Sequence, residues 1–174
     1  MIRRALTSIL VFAGMIGPAS AETITVCVKG CDHTSINAAI TVASDGDVIQ
    51  LSAETYAEGS TIDTLGKAIV IRGVTDDTGA PLTILDGGES HRVIQCQRGE
   101  SGSTAFSNLL IRNGRDTNGA GMYNKASSPT LTDCVFVDNQ CIGRGGGMYN
   151  KECSPTLVRT RFIRNRASSG GGIY

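Results

Sequence analysis

Tryptophan is absent from this chain, and all aromatic residues together make up only 5% of it. An interior drawn from such a composition is filled mainly by aliphatic side chains. Apolar runs long enough to cross a bilayer as a helix are missing too; Leu6 to Ile16 is too short. From residue 47 onward no helix-length pattern appears, which argues against a sheet whose strands are joined by crossover helices. The six cysteines match no zinc spacing. Charge of one sign is not in excess either. Residues 1–21 read as a secretory signal peptide, with Arg3 and Arg4 before the apolar stretch and Ala19-Ser20-Ala21 as the cleavage site. Its removal takes away two of 16 basic residues and none of 16 acids, leaving about −2 and no nucleic-acid footprint.

What is abundant is glycine, 22 residues, and repetition. Gly119-Ala120-Gly121-Met122-Tyr123-Asn124 returns as Gly145-Gly146-Gly147-Met148-Tyr149-Asn150, and again as Gly170-Gly171-Gly172-Ile173-Tyr174. Ser128-Pro129-Thr130-Leu131 returns as Ser154-Pro155-Thr156-Leu157, and Phe136 as Phe162. A period in the twenties, made of short β-rich runs and glycine turns, marks a solenoid of stacked coils. The predicted fold is therefore all-β: a single-stranded parallel β-helix of about five coils over residues 47–174. Residues 22–46 hold an exposed first strand and one short helix, capped by Thr34 or Ser35, that covers the open end of the solenoid.

Strand alternation assigns the side chains. Phe106, Leu109 and Ile111 share the spacing of Leu131, Cys134 and Phe136 and of Leu157, Thr160 and Phe162, so these point inward in successive coils. Met122, Met148 and Ile173 form another inner column. Asn113, Asn139 and Asn165 recur at one spacing and form an expected amide ladder beside Arg112, Asp138 and Arg164. Arg159 lies one period beyond Asp133, so the late arginines read largely as partners of earlier acids. Export permits disulfides. Cys27 and Cys31 can close a small loop, Cys141 and Cys153 can pair, and Cys96 and Cys134 read as small core residues.

Tyr123, Tyr149 and Tyr174 neighbour inward residues and so point outward as an aromatic column. They are the candidate ligand-binding residues, for a sugar chain or a protein partner; the alternative is that the rings only cover their own sheet.

The combination of Thr34-Ser35-Ile36-Asn37-Ala38-Ala39-Ile40, Gly46-Asp47-Val48-Ile49, Ile84-Leu85-Asp86-Gly87-Gly88 and the Gly-Gly-Met-Tyr-Asn phrases resembles secreted bacterial parallel β-helix proteins with the pectin-lyase superfold. The Phe136-Val137-Asp138-Asn139 and Phe162-Ile163-Arg164-Asn165 segments are similar to polymorphic outer-membrane protein repeats. The resemblance implies a right-handed helix and export to the extracellular space or outer cell surface. It leaves activity open, because this architecture hosts many functions. A pectate lyase would use a calcium-binding acid cluster and a basic arginine; Asp76, Asp77 and Asp86 are the nearest acids, but they sit in turn sequences, and the Arg-x-Pro-x-x-Arg stretch is absent. Paired aspartates with Gly-His-Gly, a Gly-x-Ser-x-Gly elbow and a phosphate loop are absent as well. His33 and His91 lie in turn regions. No catalytic or metal residue is assigned, and no cofactor is expected unless the lyase alternative brings calcium. The expected function is a non-enzymatic binding or adhesion module for an extracellular polysaccharide or surface protein; the alternatives are a polysaccharide lyase and a structural spacer. The last phrase stops without its Asn or a cap, which leads to the expectation of a longer natural chain and of end-to-end association through the last coil.

Overall fold

The computed structural model describes residues 20–174, so the predicted leader lies almost wholly outside the described residues. The chain winds through three parallel sheets in turn, about five times around. The first sheet takes Thr23–Val26, Val48–Leu51, Val70–Arg72, Ala105–Ser107, Thr130–Thr132 and Thr156–Val158. The second takes Thr55–Tyr56, Thr83–Asp86, Leu109–Arg112, Val135–Val137 and Arg161–Ile163. The third takes Ile62–Asp63, Ile94–Cys96, Met122–Lys125 and Met148–Lys151. A short fourth ladder joins Arg115–Asp116 to Gln140–Cys141.

The predicted inner columns are in register. Phe106 pairs with Leu131 and Leu131 with Leu157; Ile111 pairs with Phe136 and Phe136 with Phe162. Ile94, Met122, Met148 and Ile173 form the third inner column. Phe106, Phe136, Met122 and Met148 are fully buried. Burial of each such side chain is worth about 1.5–3 kcal/mol, which is why coil-on-coil stacking can hold so thin a core together. The rings of Phe136 and Phe162 lie 4.9 Å apart and 9° from parallel.

The corners explain the short strands. Sequence patterning reads Phe106 to Ile111 as one run, but Asn108, at φ +59°, bends it into two strands belonging to different sheets. Asp133 and Arg159 occupy the same corner one and two coils on, also at positive φ. Asn113, Asp138 and Arg164 form the next left-handed corner. Asparagine and aspartate tolerate this backbone region; arginine does so less readily. Each arginine is tied to the aspartate beneath it, Arg159 to Asp133 at 2.6 Å and Arg164 to Asp138 at 2.6 Å.

Two expected columns are corrected by the register. The Leu109–Arg112 strand pairs with its neighbour 25 residues on, whereas the next step is 26, so Val137 rather than Asp138 lies over Arg112. Asn113 therefore leaves the Asn139 column and donates to Asp86 instead, and Arg112 pairs with Asp86 at 2.7 Å. Asn139 and Asn165 do stack: the Asn139 amide donates to Asn165 Oδ1 at 2.9 Å, and its own Oδ1 accepts the Gly114 N–H. The offset is recovered near Arg144, since Met122 and Met148 are again 26 apart.

The one helix among the described residues, α1 (Ile36–Val42), packs Ile36, Ala39 and Ile40 onto the first coil. Seven residues are too few to be stable alone. Both ends are held by distant residues: Glu58 accepts the Ile36 N–H and the Ser35 hydroxyl, and Lys67 Nζ donates to the carbonyls of Ile40, Thr41 and Ala43. Ser35 is the N-cap, accepting the Ala38 N–H. The free edge of the first strand is closed by Asp32, which accepts the Thr25 N–H, and by His33, whose N–H donates to the Thr25 carbonyl. Cys27 and Cys31 are bonded within that loop.

Cys141 and Cys153, by contrast, do not pair; both are free thiols. The whole Met148–Lys151 strand lies between them, with Cys141 Sγ facing the Arg144 carbonyl and Cys153 Sγ the Asn124 carbonyl. Cys96 and Cys134 are buried core thiols, and burial pushes the Cys134 thiol up to about 12.

Candidate functional site

The outer face of the third sheet carries one continuous column: Asp63, Gln95, Tyr123 and Tyr149 in strand register, with Tyr174 stacked on Tyr149. Inward Met122 and Met148 force the tyrosines outward by alternation. Tyr123 and Tyr149 lie 5.4 Å apart and 19° from parallel; Tyr149 and Tyr174 lie 5.6 Å apart and 12° from parallel. The middle ring has a ring on either side, so its faces are taken up within the column. What the ladder offers to solvent is a row of ring edges and phenol hydroxyls at a regular step.

Cations border the row. The Arg92 guanidinium lies 4.6 Å from the Tyr123 ring centre and that of Arg144 lies 4.8 Å from the Tyr174 ring centre, both within cation–π range. Arg92 is fixed in place: it pairs with Asp116 at 3.1 Å and donates to the carbonyls of Asn118 and Gly119. Burial lowers its guanidinium from the ordinary value, against the pull of Asp116. Lys125 and Lys151 lie two residues beyond Tyr123 and Tyr149, on the same face, and are paired with each other in register.

Glycine lets this column form. Gly145 has φ +66°, and a Cβ there would overlap the Met148 carbonyl. The backbone turns back sharply at this point to start the Met148–Lys151 strand, a turn that only glycine makes without strain.

Two polar groups beneath the face escaped the sequence reading. Asn124 and Asn150, one residue past each tyrosine, form a second amide ladder, with Asn124 Nδ2 donating to Asn150 Oδ1 at 2.9 Å. Their recurrence within the Met-Tyr-Asn phrase was the available signal. Glu100 is buried, and its carboxylate accepts from the Thr64 and Ser127 hydroxyls and from the N–H groups of Gly66 and Arg98. Burial alone would raise its pKa, but these hydrogen bonds outweigh it and hold the carboxyl below the ordinary value. Nothing in the local sequence marks it, because apart from the Arg98 N–H its partners, Thr64, Gly66 and Ser127, come from coils on either side.

The other candidates sit elsewhere. Asp76 is occupied by its own turn, accepting from Thr78 and Ala80, and Asp86 is held by Arg112, Asn113 and the Gly88 N–H. His91 Nδ1 shares a hydrogen bond with Ser90 Oγ. A groove of about 520 Å³, on a different side from the tyrosines, is bounded by the Thr78–Pro81 turn, Val135 and the Asp133–Arg159 pair. Among the described residues no helix is long and apolar enough to cross a membrane. Comparison with known proteins places none beside this chain: no protein-family model, curated protein or solved structure matches it.

Proposed function

We propose that this chain is an exported, non-enzymatic binding module that holds an extended polysaccharide along the tyrosine ladder. One observation carries the reading: three tyrosines stand outside the solenoid in a single file, separated by 5.4 and 5.6 Å. A β-1,4-linked sugar chain advances by nearly the same length per residue, so one laid parallel to the solenoid axis meets an equivalent group at every coil. Phenol hydroxyls can exchange hydrogen bonds with sugar hydroxyls, and ring edges cover apolar sugar faces. The stripe is preformed, because stacking and the inner columns fix each ring before any ligand arrives, and preorganisation lowers the entropic cost of binding. The right-handed winding and the kinship with secreted pectin-lyase-like and outer-membrane repeat proteins belong to the same proposal; they rest on the repeated phrases.

The test is affinity electrophoresis of the mature protein in gels containing neutral and charged β-1,4-linked polysaccharides. Retardation by at least one of them, lost in Tyr149→Ala with the melting temperature retained, is expected. Retardation unchanged in that variant would remove the ladder from the binding surface.

A further inference from the structure

We infer that the chain bound along the ladder is a polyanion, bearing carboxylate or sulfate groups at intervals. This rests on the binding reading above and adds the chemical class of the ligand.

The argument starts from a like-charge pair. Lys125 and Lys151 are directly opposite each other in the Met122–Lys125 and Met148–Lys151 ladder, and both are exposed. Like charges placed so are destabilising. Elsewhere in the same coils the chain does the reverse: Asp133 lies under Arg159 and Asp138 under Arg164. Acid–base alternation was therefore accessible to this sequence, and it is used at two corners but not beside the tyrosines. Neither lysine makes an ion pair among the described residues, and neither does Arg144, whose backbone is held by Asn118 and Gly119 while its guanidinium lies against the Tyr174 ring.

These three cations flank the row on both sides. Lys125 and Lys151 follow the tyrosines along the strands, while Arg144 precedes them, with its guanidinium against the Tyr174 ring. An anionic group on a chain lying along the axis would be met by an ammonium at two successive coils, relieving their mutual repulsion. The wider charge distribution agrees. Residues 22–100 hold twelve acids and five lysines or arginines, whereas residues 101–174, which carry the ladder, hold four and nine. The net charge of residues 22–174, about −2, thus conceals a cationic half that draws a polyanion to the tyrosine-bearing coils. Arg92 is excluded from this role, since Asp116 already neutralises it.

The experiment keeps the polymer backbone constant and varies its charge: hydroxyethyl cellulose, carboxymethyl cellulose and cellulose sulfate, each titrated against the mature protein at low and high salt. At least one anionic polymer should bind tenfold or more tightly than the neutral one, with the advantage shrinking at high salt. Whether the carboxylated or the sulfated polymer leads identifies the anion. Lys125→Gln/Lys151→Gln should remove most of that advantage without changing the affinity for the neutral polymer and without lowering the melting temperature, since it relieves a like-charge repulsion, and Lys125→Arg/Lys151→Arg should restore the advantage. Equal binding of neutral and charged polymers, or an unaffected double glutamine variant, would overturn the inference and leave the ladder reading standing. Absence of binding to all three would overturn both.

Discussion

The inner and outer ladders of this solenoid are built on one backbone repeat but serve different ends. Inside, Phe136 and Phe162 stack at 4.9 Å, with Phe136 wholly buried and Phe162, in the last coil, half-buried. Outside, Tyr123, Tyr149 and Tyr174 stack at slightly wider spacing, half-buried or exposed. The inner rings gain their energy from leaving water; the outer rings keep a wet edge and a hydroxyl. A repeat that places identical residues one above another therefore makes two products at once, a core and a periodic surface. Stability should follow the inner ladder and binding the outer one.

The strongest way to break that division is Phe136→Ala. It should cost about 3–5 kcal/mol, measured by chemical denaturation, while the protein that remains folded binds polysaccharide as before. Equal loss of binding in folded protein would show that the ladders are not separable.

Glu100→Gln sharpens the inner side. Its carboxylate joins coils through four donors, so the substitution should cost about 1–3 kcal/mol or more. The sign of its pH dependence follows from the lowered pKa. The stabilisation is present above the unfolded-state value near 4.5 and is lost as pH falls through the folded-state value. Denaturation midpoints of Glu100→Gln should thus lose part of the acid sensitivity shown by the unsubstituted protein; identical acid profiles would refute the assignment.

Asn139→Ala comes next. It removes the stacked amide and leaves the buried Gly114 N–H without its acceptor, at about 1–3 kcal/mol. Asn113→Gly, which leaves the left-handed corner unstrained, should cost less, since Asn113 lies outside that column and Asp86 keeps Arg112 and the Gly88 N–H. Comparable losses in the two variants would restore the uniform asparagine ladder that spacing suggests. The smallest effect belongs to the outermost charges. The hydrogen bond from Arg159 keeps the Asp133 carboxyl below its usual value, yet Arg159 is exposed and Asp133 half-buried at the surface, so Asp133→Asn should leave the melting temperature almost unchanged.

These cases also show what the linear chain reveals. Phe, Leu and Met recurring with the Gly-Gly-x-Tyr phrase made the inner columns legible, because side-chain alternation and a fixed period determine facing. The tyrosine column was legible for the same reason. Asn113 was misplaced because one residue separates the coil steps of 25 and 26, and the identity of an amino acid does not record which turn takes up the difference. Short strands such as Thr55–Tyr56 and Ile62–Asp63 carry too few residues to show a period, and only their partners in the sheet define them. Glu100 was hidden by its long-range partners. The Cys141–Cys153 expectation failed because closeness in sequence ignores the strand that separates the two residues.

Vertical superposition of like residues underlies both ladders, and cross-linking tests it most directly. Thr130 and Thr156 face outward in register on the first sheet, so the Thr130→Cys/Thr156→Cys variant should close a disulfide under mild oxidation, identified by peptide mass spectrometry. No bond in that pair, together with one in Thr130→Cys/Val158→Cys, would contradict the register and both ladders with it.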